Sequence, residues 1–454
     1  MKMMPGILGL VLWSLSACLS VSPACAEPLQ LSLPAAINMA LSSHPDLLLA
    51  RNRRDAAAVA VEAARGSFQP SLEGTASTVE RIAQQPPPGD SNDYRTLDLG
   101  LSSRLNLFNG FADVAGLGSS RQQLSAAESD LLRQQQTIAF DTSTRFIAVI
   151  TADQLVTIAE ESLAREQALL EQIDAFYKAG SRSVTDLYQQ QAATAQSEFE
   201  LLDARRNLKV AELQLLQALG QEPPLRVEPL TPAPFALIST LQGLSLDKSY
   251  SRALALRPDL RAQRRRIAAA GEQVRQARAG GLPSVDLFAD LGTDYTSLNS
   301  GRSFGEQLKS DNGSAALGIS LSVPIFDRSL TRTGVGQAQI GESDARAGLA
   351  RLRQQIGVEV GQALADYRKA ELQLKVVASQ LTYATQALAA AEARYKAGAA
   401  TWIDLAAART TFVQAEGDEV RARQAMLQQG LAVGYARGDL ENLLTKLHSE
   451  EPKS

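Results

Sequence analysis

A short signature occurs twice in this chain, and it fixes the folding options more than any other feature. Tyr177-Lys178-Ala179-Gly180 is followed by Asp186, and Tyr395-Lys396-Ala397-Gly398 is followed by Asp404 at the same spacing. Each copy interrupts a long pattern rich in Ala and Leu. Upstream of the first, Val149, Val156, Leu163, Leu170 and Tyr177 recur every seventh residue. Upstream of the second, Tyr367, Leu374, Leu381, Leu388 and Tyr395 do the same. Ala363, Ala370, Val377, Ala384 and Ala391 fill the alternate positions, so the steps run four and three, the spacing of a coiled-coil seam. Gly180 and Gly398 supply the left-handed backbone that ends a helix. After the first break, Leu201, Ala204, Leu208, Ala211, Leu215 and Ala218 resume the helical steps. The expectation is two long helical hairpins, each turning at a Tyr-Lys-Ala-Gly tip.

The signature belongs to a tandem repeat. Leu31-Ser32-Leu33 matches Leu244-Ser245-Leu246, His44-Pro45-Asp46-Leu47 matches Arg257-Pro258-Asp259-Leu260, and Pro70-Ser71-Leu72 matches Pro283-Ser284-Val285, all at an offset of 213. From Leu107-Phe108 against Ile325-Phe326 to the tips the offset is 218. The second copy has therefore gained five residues at one place, which marks that place as a loop. The division expected is a signal segment at 1–26, a first repeat at 27–220, a proline-rich connector at 221–243, a second repeat at 244–438 and a polar tail at 439–454.

The material around the variable loop alternates with period two. Leu97, Leu99, Leu101, Leu105 and Leu107 alternate with polar neighbours, as do Leu317, Ile319, Leu321, Val323 and Ile325. Val285, Leu287, Leu291, Thr293 and Tyr295 form a third strand, and 71–79 a weaker fourth. Stretches of about ten residues, apolar on one side only, are the signature of a transmembrane barrel; a soluble hairpin with one buried face alternates in the same way. The polar loops 84–93 and 297–312 fit the barrel. Beyond the amino-terminal segment no apolar run approaches the roughly 20 residues of a spanning helix. Four strands cannot close a barrel, and free edges are not tolerated in lipid. Several chains must pool their strands, and three would give twelve. The stretch from Asp113 to Tyr177 spans roughly 100 Å if helical. Gly116-Leu117-Gly118 and Gly334-Val335-Gly336 are read as backbone bends where barrel meets helix.

At the amino terminus, Lys2 precedes the apolar run from Ile7 to Leu19, and Ala24-Cys25-Ala26 has the small residues of an export cleavage site. Leu15-Ser16-Ala17-Cys18 offers a second reading, with Cys18 lipidated. Both cysteines lie here, so cleavage after Ala26 leaves no thiol. With 5% aromatic residues, the 45% hydrophobic fraction suits slender helix packing over a thick core. A net charge of -4 without long runs of one sign argues against nucleic acid.

Taken together, the tandem repeat, the Pro-Ser strand entries, the run Leu105-Asn106-Leu107-Phe108-Asn109-Gly110-Phe111 and the two tips resemble the TolC family of outer-membrane channels across essentially the whole mature chain. The resemblance implies a mainly α fold with β. A homotrimer would build a 12-stranded outer-membrane β-barrel, continuous with an α-helical coiled-coil tunnel in the periplasm. It implies a periplasmic adaptor and an inner-membrane pump, ABC or proton-driven, as partners, and Leu-Phe-Asn-Gly leans toward the type I secretion branch. By alignment, Asp186 and Tyr395 fall on gate positions and Asp404 on an acidic ring. The family's gate arginine and second acidic ring become Ala400 and Ala407, which leaves Arg182 as a substitute partner. Tyr177, Gly180 and Gly398 would shape the adaptor-facing tip. For Asp186 and Asp404, helix capping is the competing role.

An enzyme is not indicated. The two histidines, His44 and His448, stand apart, and no catalytic motif, metal cluster or cofactor loop is present. A soluble periplasmic adaptor also uses long helical hairpins, but with one hairpin between β modules.

Overall fold

The structure is a computed structural model that describes residues 29–81, 94–223, 227–229, 243–298, 301–441 and 444. The stretch 1–26 expected to be a signal segment, which holds both cysteines, loop 84–93, and most of the expected connector and polar tail lie outside them.

Each repeat builds the same succession. In the first, α1 (Leu33–Ser43) and α2 (Pro45–Gly66) lead into β2 (Ser71–Arg81) and β3 (Tyr94–Asn109), and then into α3 (Ala112–Lys178) and α4 (Val184–Ala218). In the second, α5 (Leu246–Leu256) and α6 (Pro258–Ala279) lead into β5 (Ser284–Thr296) and β6 (Ser314–Ser322), and then into α7 (Leu330–Lys396) and α8 (Trp402–Arg437). Local chemistry sets these bounds. Pro45 and Pro258 start α2 and α6 at the position where a missing N–H costs nothing. Ser32, Ser183, Ser245 and Thr401 each accept a backbone N–H as N-caps.

Gly180, Gly220, Gly398 and Gly438 follow the four long helices with φ between 67° and 74°. Each closes the same pair of bonds. At the first tip, Gly180 N donates to Tyr177 O and Ser181 N to Phe176 O; at the second, Gly398 N donates to Tyr395 O and Ala399 N to Arg394 O. This is the Schellman closure, which satisfies the orphan carbonyls of the last turn.

α3 and α7 are each 67 residues long, about 100 Å at 1.5 Å per residue. Toward the hairpin tips the helices lie side by side in the order α4, α3, α8, α7; nearer the sheet, α2 and α6 fill in beside α3 and α7. The seam of α7 matches expectation: Ala363, Tyr367, Ala370, Val377, Ala384 and Tyr395 are buried. In α3 the stripe drifts. Val149 and Val156 are buried, but further down Ser162, Leu169 and Ile173 take over from Leu163, Leu170 and Tyr177. An unsupercoiled helix has 3.6 residues per turn, so a strict seven-residue stripe slides off the contact line. The main core wraps the sheet-side half around Phe146, Leu47, Leu215, Leu260 and Ile356. Each such side chain, fully buried, contributes about 1.5–3 kcal/mol. A second, smaller core sits at the tips.

The strands form one antiparallel sheet in the order β2-β3-β5-β6. Its register sets Leu99 opposite Ala76 and Thr293, Leu101 opposite Gly74 and Leu291, and Leu287 opposite Ile319. One face therefore carries Leu97, Leu99, Leu101, Leu105, Leu287, Leu291, Leu317, Ile319 and Leu321, and the other Asp98, Arg104, Asn106, Asp286, Asp290 and Ser320. Gly318 is required on the polar face, because a Cβ there would meet the Phe288 ring at 2.6 Å. A bulge between Asn106 and Phe108 breaks the expected alternation, so Leu107 leaves the pattern and Phe108 pairs with Val285. β6 ends at Ser322, short of the expected Ile325; Val323 and Ile325 are exposed beyond an edge that has no neighbouring strand among the described residues.

Three further features depart from expectation. Gly116-Leu117-Gly118 and Gly334-Val335-Gly336 lie inside unbroken helices, so they are not where the chain changes direction. That change occurs at Gly110-Phe111 and Arg328-Ser329, all with φ between 52° and 67°. Asn109 Oδ1 accepts Asp113 N at 3.3 Å, and Asp327 accepts Ser329 N at 3.0 Å and Thr331 N at 2.8 Å. The side chain one residue before each left-handed pair thus anchors the new helix. The loop 297–312 holds a helical turn at Phe304–Glu306 and a π turn at Gln307–Asp311. Finally, the connector contributes β4 (Val227–Pro229), paired in parallel with β1 (Leu29–Leu31).

Candidate functional site at the helical tips

Here the two hairpins meet. Tyr395, at the end of α7, is 4% exposed and packs with Leu169, Ile173, Leu187 and Leu405. The Arg182 guanidinium, from the turn of the first hairpin, lies over its ring at 4.4 Å from the centroid, a geometry in which the cation meets the negative face of the ring. Burial pushes the Tyr395 phenol above its usual range; the nearby Asp186 carboxylate adds to this, while Arg182 and Arg409 oppose it. The Tyr395 hydroxyl is buried without a hydrogen-bond partner among the described residues. The structure thus brings three predicted residues together: Arg182, Asp186 and Tyr395.

Asp404 is not among them. Its carboxylate accepts from Thr401 N at 2.9 Å and from Thr401 Oγ1 at 2.8 Å, while Thr401 Oγ1 accepts Asp404 N at 3.3 Å. This is a reciprocal capping box at the start of α8. The bonds from Thr401 hold the carboxyl below the usual carboxylate range. Asp186 occupies the equivalent position of α4 but only its N–H is engaged, by Ser183 Oγ at 3.1 Å. Its carboxylate acts on Tyr395 only through its charge, which helps to raise the phenol. Tyr177 is 40% exposed, so the two tyrosines are not equivalent. A Cβ added at Gly180 or Gly398 would meet no atom within 4 Å, so the role of both is conformational.

Above this cluster lies a polar network that sequence reasoning missed. Trp402 Nε1 donates to Gln190 Oε1 at 2.8 Å, and Gln190 Nε2 donates to Glu166 O at 3.0 Å and to Glu166 Oε2 at 2.6 Å. Arg409 pairs with Glu166 at 3.4 Å and with Glu392 at 3.5 Å. Nearby, Arg165 reaches Glu416 at 3.4 Å. Burial raises the Glu416 carboxyl, an effect Arg165 opposes and Glu161 reinforces. The signals in the sequence were a Gln in the seam of α4 and a Trp next to a helix cap; a buried indole N–H requires an acceptor.

Among the described residues no helix is long and apolar enough to cross a membrane, and no group of His, Cys, Asp and Glu is arranged to hold a metal ion.

Comparison with known proteins agrees with this geometry. The family model described as "Outer membrane efflux protein" matches residues 36–221 and 249–438. Outer membrane protein TolC of Escherichia coli is 28% identical over 487 aligned positions, spanning 100% of this chain and 91% of that one. Outer membrane efflux protein BepC of Brucella suis is 24% identical over 377 positions, 81% of this chain and 78% of its own. In fold, the chain is similar to CusC, with a TM-score of 0.78 at 19% identity over 89% of this chain and 92% of that one. VceC of Vibrio cholerae gives a TM-score of 0.73 at 22% identity over 89% and 96%. The tandem helical hairpins, the shared sheet and the match across both repeats place this chain in the outer membrane efflux protein family, as a TolC-type channel and not an enzyme.

Proposed function

We propose that three copies of this chain form one exit duct of a tripartite efflux or type I secretion system. Such a duct carries cargo from an inner-membrane pump, through a periplasmic adaptor, to the outside. The observation that carries the reading is the pair of free edges, β2 and β6, on a four-stranded sheet with one apolar face. Each unpaired backbone group would cost several kcal/mol in hydrocarbon. Pairing β6 of one copy with β2 of the next removes every edge, and three copies give 12 strands. The apolar face then meets outer-membrane lipid and the polar face lines the bore.

At the far end, Arg182, Asp186 and Tyr395 hold the hairpin tips together as the gate. Asp404 fixes the turn, and Tyr177, Gly180 and Gly398 present the surface an adaptor grips. Ala400 and Ala407 remove two charges from that mouth, so Arg182 carries the pairing. Relatives named for efflux and for pyoverdine export favour small-molecule cargo. The run Leu105 to Phe111 favours the secretion branch.

The test places single cysteines along β2 and β6 of the same chain. Oxidation in the outer membrane should give covalent dimers and trimers and nothing larger. Monomers at every pair, or recovery of the chain from the periplasmic fluid, would refute the duct. Cysteines at Ser183 or Ala399 should cross-link to the adaptor and pump and so identify the cargo class.

A further inference from the structure

The five residues that the second repeat gained fall between β5 and β6. Their surroundings are not those of a plain polar loop. Leu298, Phe304 and Leu308 are spaced among Arg302, Glu306 and Lys309, and the stretch folds into the helical and π turns described above. Ser303 and Glu306 close a reciprocal capping box at its start. The Glu306 carboxylate accepts Ser303 N at 2.9 Å and Ser303 Oγ at 2.8 Å, so this charge is taken up inside the turn.

The position of the turn decides what it can meet. β6 begins at Ser314, opposite Gly292, so the last residues of β5 have no strand on that side. The turn takes the place of one. Gln307 is fully buried and its Oε1 accepts Thr296 N at 3.0 Å, while Asn312 Nδ2 donates to Asp294 O at 2.8 Å. Two side-chain amides thus satisfy backbone groups that would otherwise form a free edge. Two further contacts fix the side. Thr293 Oγ1 donates to Leu308 O at 2.9 Å, and the Tyr295 and Phe304 rings meet edge to face at 4.9 Å. Thr293 and Tyr295 stand opposite Leu99 and Leu97, on the apolar face. The turn is therefore folded over the apolar side of the sheet and not over its polar side.

At this end of the apolar face the leucines give way to charge. One step beyond Leu97 and Thr78, on the same face, Arg95 pairs with Glu80 at 2.8 Å. Leu298 and Phe304 are 59% and 51% exposed, and Arg302 and Lys309 are exposed on the same turn. In a membrane barrel, rings at that height form the girdle at the edge of the hydrocarbon, with headgroups directly above. Rings at the boundary and cations beside them complement one chemistry, an apolar chain beneath an anionic headgroup. We propose that the turn 302–309 is a docking platform for phosphorylated lipid of the outer leaflet, with Phe304 at the acyl boundary and Arg302 and Lys309 on the phosphates. The platform rests on the duct reading above, which sets the apolar face in the membrane. Gln307 and Asn312 hold the turn in place beforehand, so little ordering is needed on binding.

The test titrates the full chain in detergent with lipid A, and with lipid A stripped of its phosphates, and counts bound lipid by native mass spectrometry. The wild type should prefer the phosphorylated form. Lys309→Gln should weaken that form about fivefold, the worth of one cation near an anionic lipid surface, and the pair Arg302→Gln and Lys309→Gln about 25-fold. Neither change should alter affinity for the stripped lipid, and inorganic phosphate should not displace bound lipid A. Equal affinity of the wild type for the two lipids, or the same loss toward both in the variants, would overturn the platform.

Depth is read in vesicles of phosphatidylcholine and lipid A. The sequence holds only Trp13 and Trp402, and Trp402 lies at the helical tips, so Phe304→Trp adds a separate signal. Bromine near the headgroup end of the acyl chains should quench it, and bromine near the methyl end should not. Quenching by aqueous iodide alone would overturn the platform. So would a disulfide from Lys309→Cys to Thr78→Cys of the next copy, which would give the surface to a neighbouring protomer. A chain that failed to enter vesicles would instead defeat the duct reading, and the titration in detergent would still decide the lipid site.

Discussion

The two tips share a signature and a backbone, yet they do different work. Both end in a Schellman closure on a glycine, and both resume behind a hydroxyl N-cap three residues before an aspartate. From there they diverge. Tyr395 is buried under Arg182, whereas Tyr177 is exposed. Asp404 is spent in a capping box, whereas the Asp186 carboxylate is not. Arg182 has Ala400 as its counterpart, so the cation comes from the first tip and covers the tyrosine of the second. Duplication supplied two equal turns, and a few side chains then made one the holder and the other the held.

The strongest test of that asymmetry is truncation of the two tyrosines. Tyr395→Ala should cost about 3–5 kcal/mol, as for other large buried rings. Tyr177→Ala should stay within about 0.5 kcal/mol, as exposed sites do. Denaturant unfolding followed by circular dichroism separates the two. Equal costs would mean the tips are equivalent after all.

The backbone half of the comparison predicts equality instead. Gly180→Ala and Gly398→Ala both force a side chain into left-handed backbone at φ of 74° and 71°, at a cost of about 1 kcal/mol or more. Neither meets a neighbouring atom, so the strain is conformational and the same in both. A difference beyond experimental error would place a contact at one tip that the fold does not contain.

What could be read in the sequence follows the same division. The tips, the seam of α7, the paired strands and the offset between repeats are periodic or local, and a single chain displays them. The contacts that distinguish the tips are neither. Glu166 looks like any solvated glutamate on a long helix until Arg409, more than 200 residues on, is known to face it. The bulge at Leu107 depends on the partner strand, which sequence spacing does not reveal. The drift of the α3 stripe away from Leu163, Leu170 and Tyr177 arises from helix pitch against a strict heptad, a mismatch that accumulates with length. β1 and β4, at three residues each, are too short to carry a period.

Arg182→Ala offers a smaller and more pointed measurement. Removing the cation should cost about 0.5–1 kcal/mol. It should also move the Tyr395 phenol still higher, because Arg182 is one of the two groups that hold it down. An ultraviolet titration of Tyr395 against the Tyr395→Phe background reads this directly. A phenol that did not move would mean Arg182 faces solvent and the two tips are uncoupled.

The smallest effect concerns acid. Asp404 is held below the usual carboxylate range by its bonds from Thr401, so its ionised form is favoured in the fold. Its contribution is therefore fully present above the pKa of the unfolded chain and is lost as pH falls through the depressed folded value. Hydrogen exchange in the first turn of α8 should speed up across that acid window. Thr401→Ala removes the hydroxyl and part of the depression, so the acceleration should begin at higher pH. The first turn of α4 is capped by Ser183 alone, so its exchange should be unaffected by Thr401→Ala. If Thr401→Ala changed exchange in both turns alike, the two caps would be coupled across the tips, and the asymmetry between them would be confined to Arg182 over Tyr395.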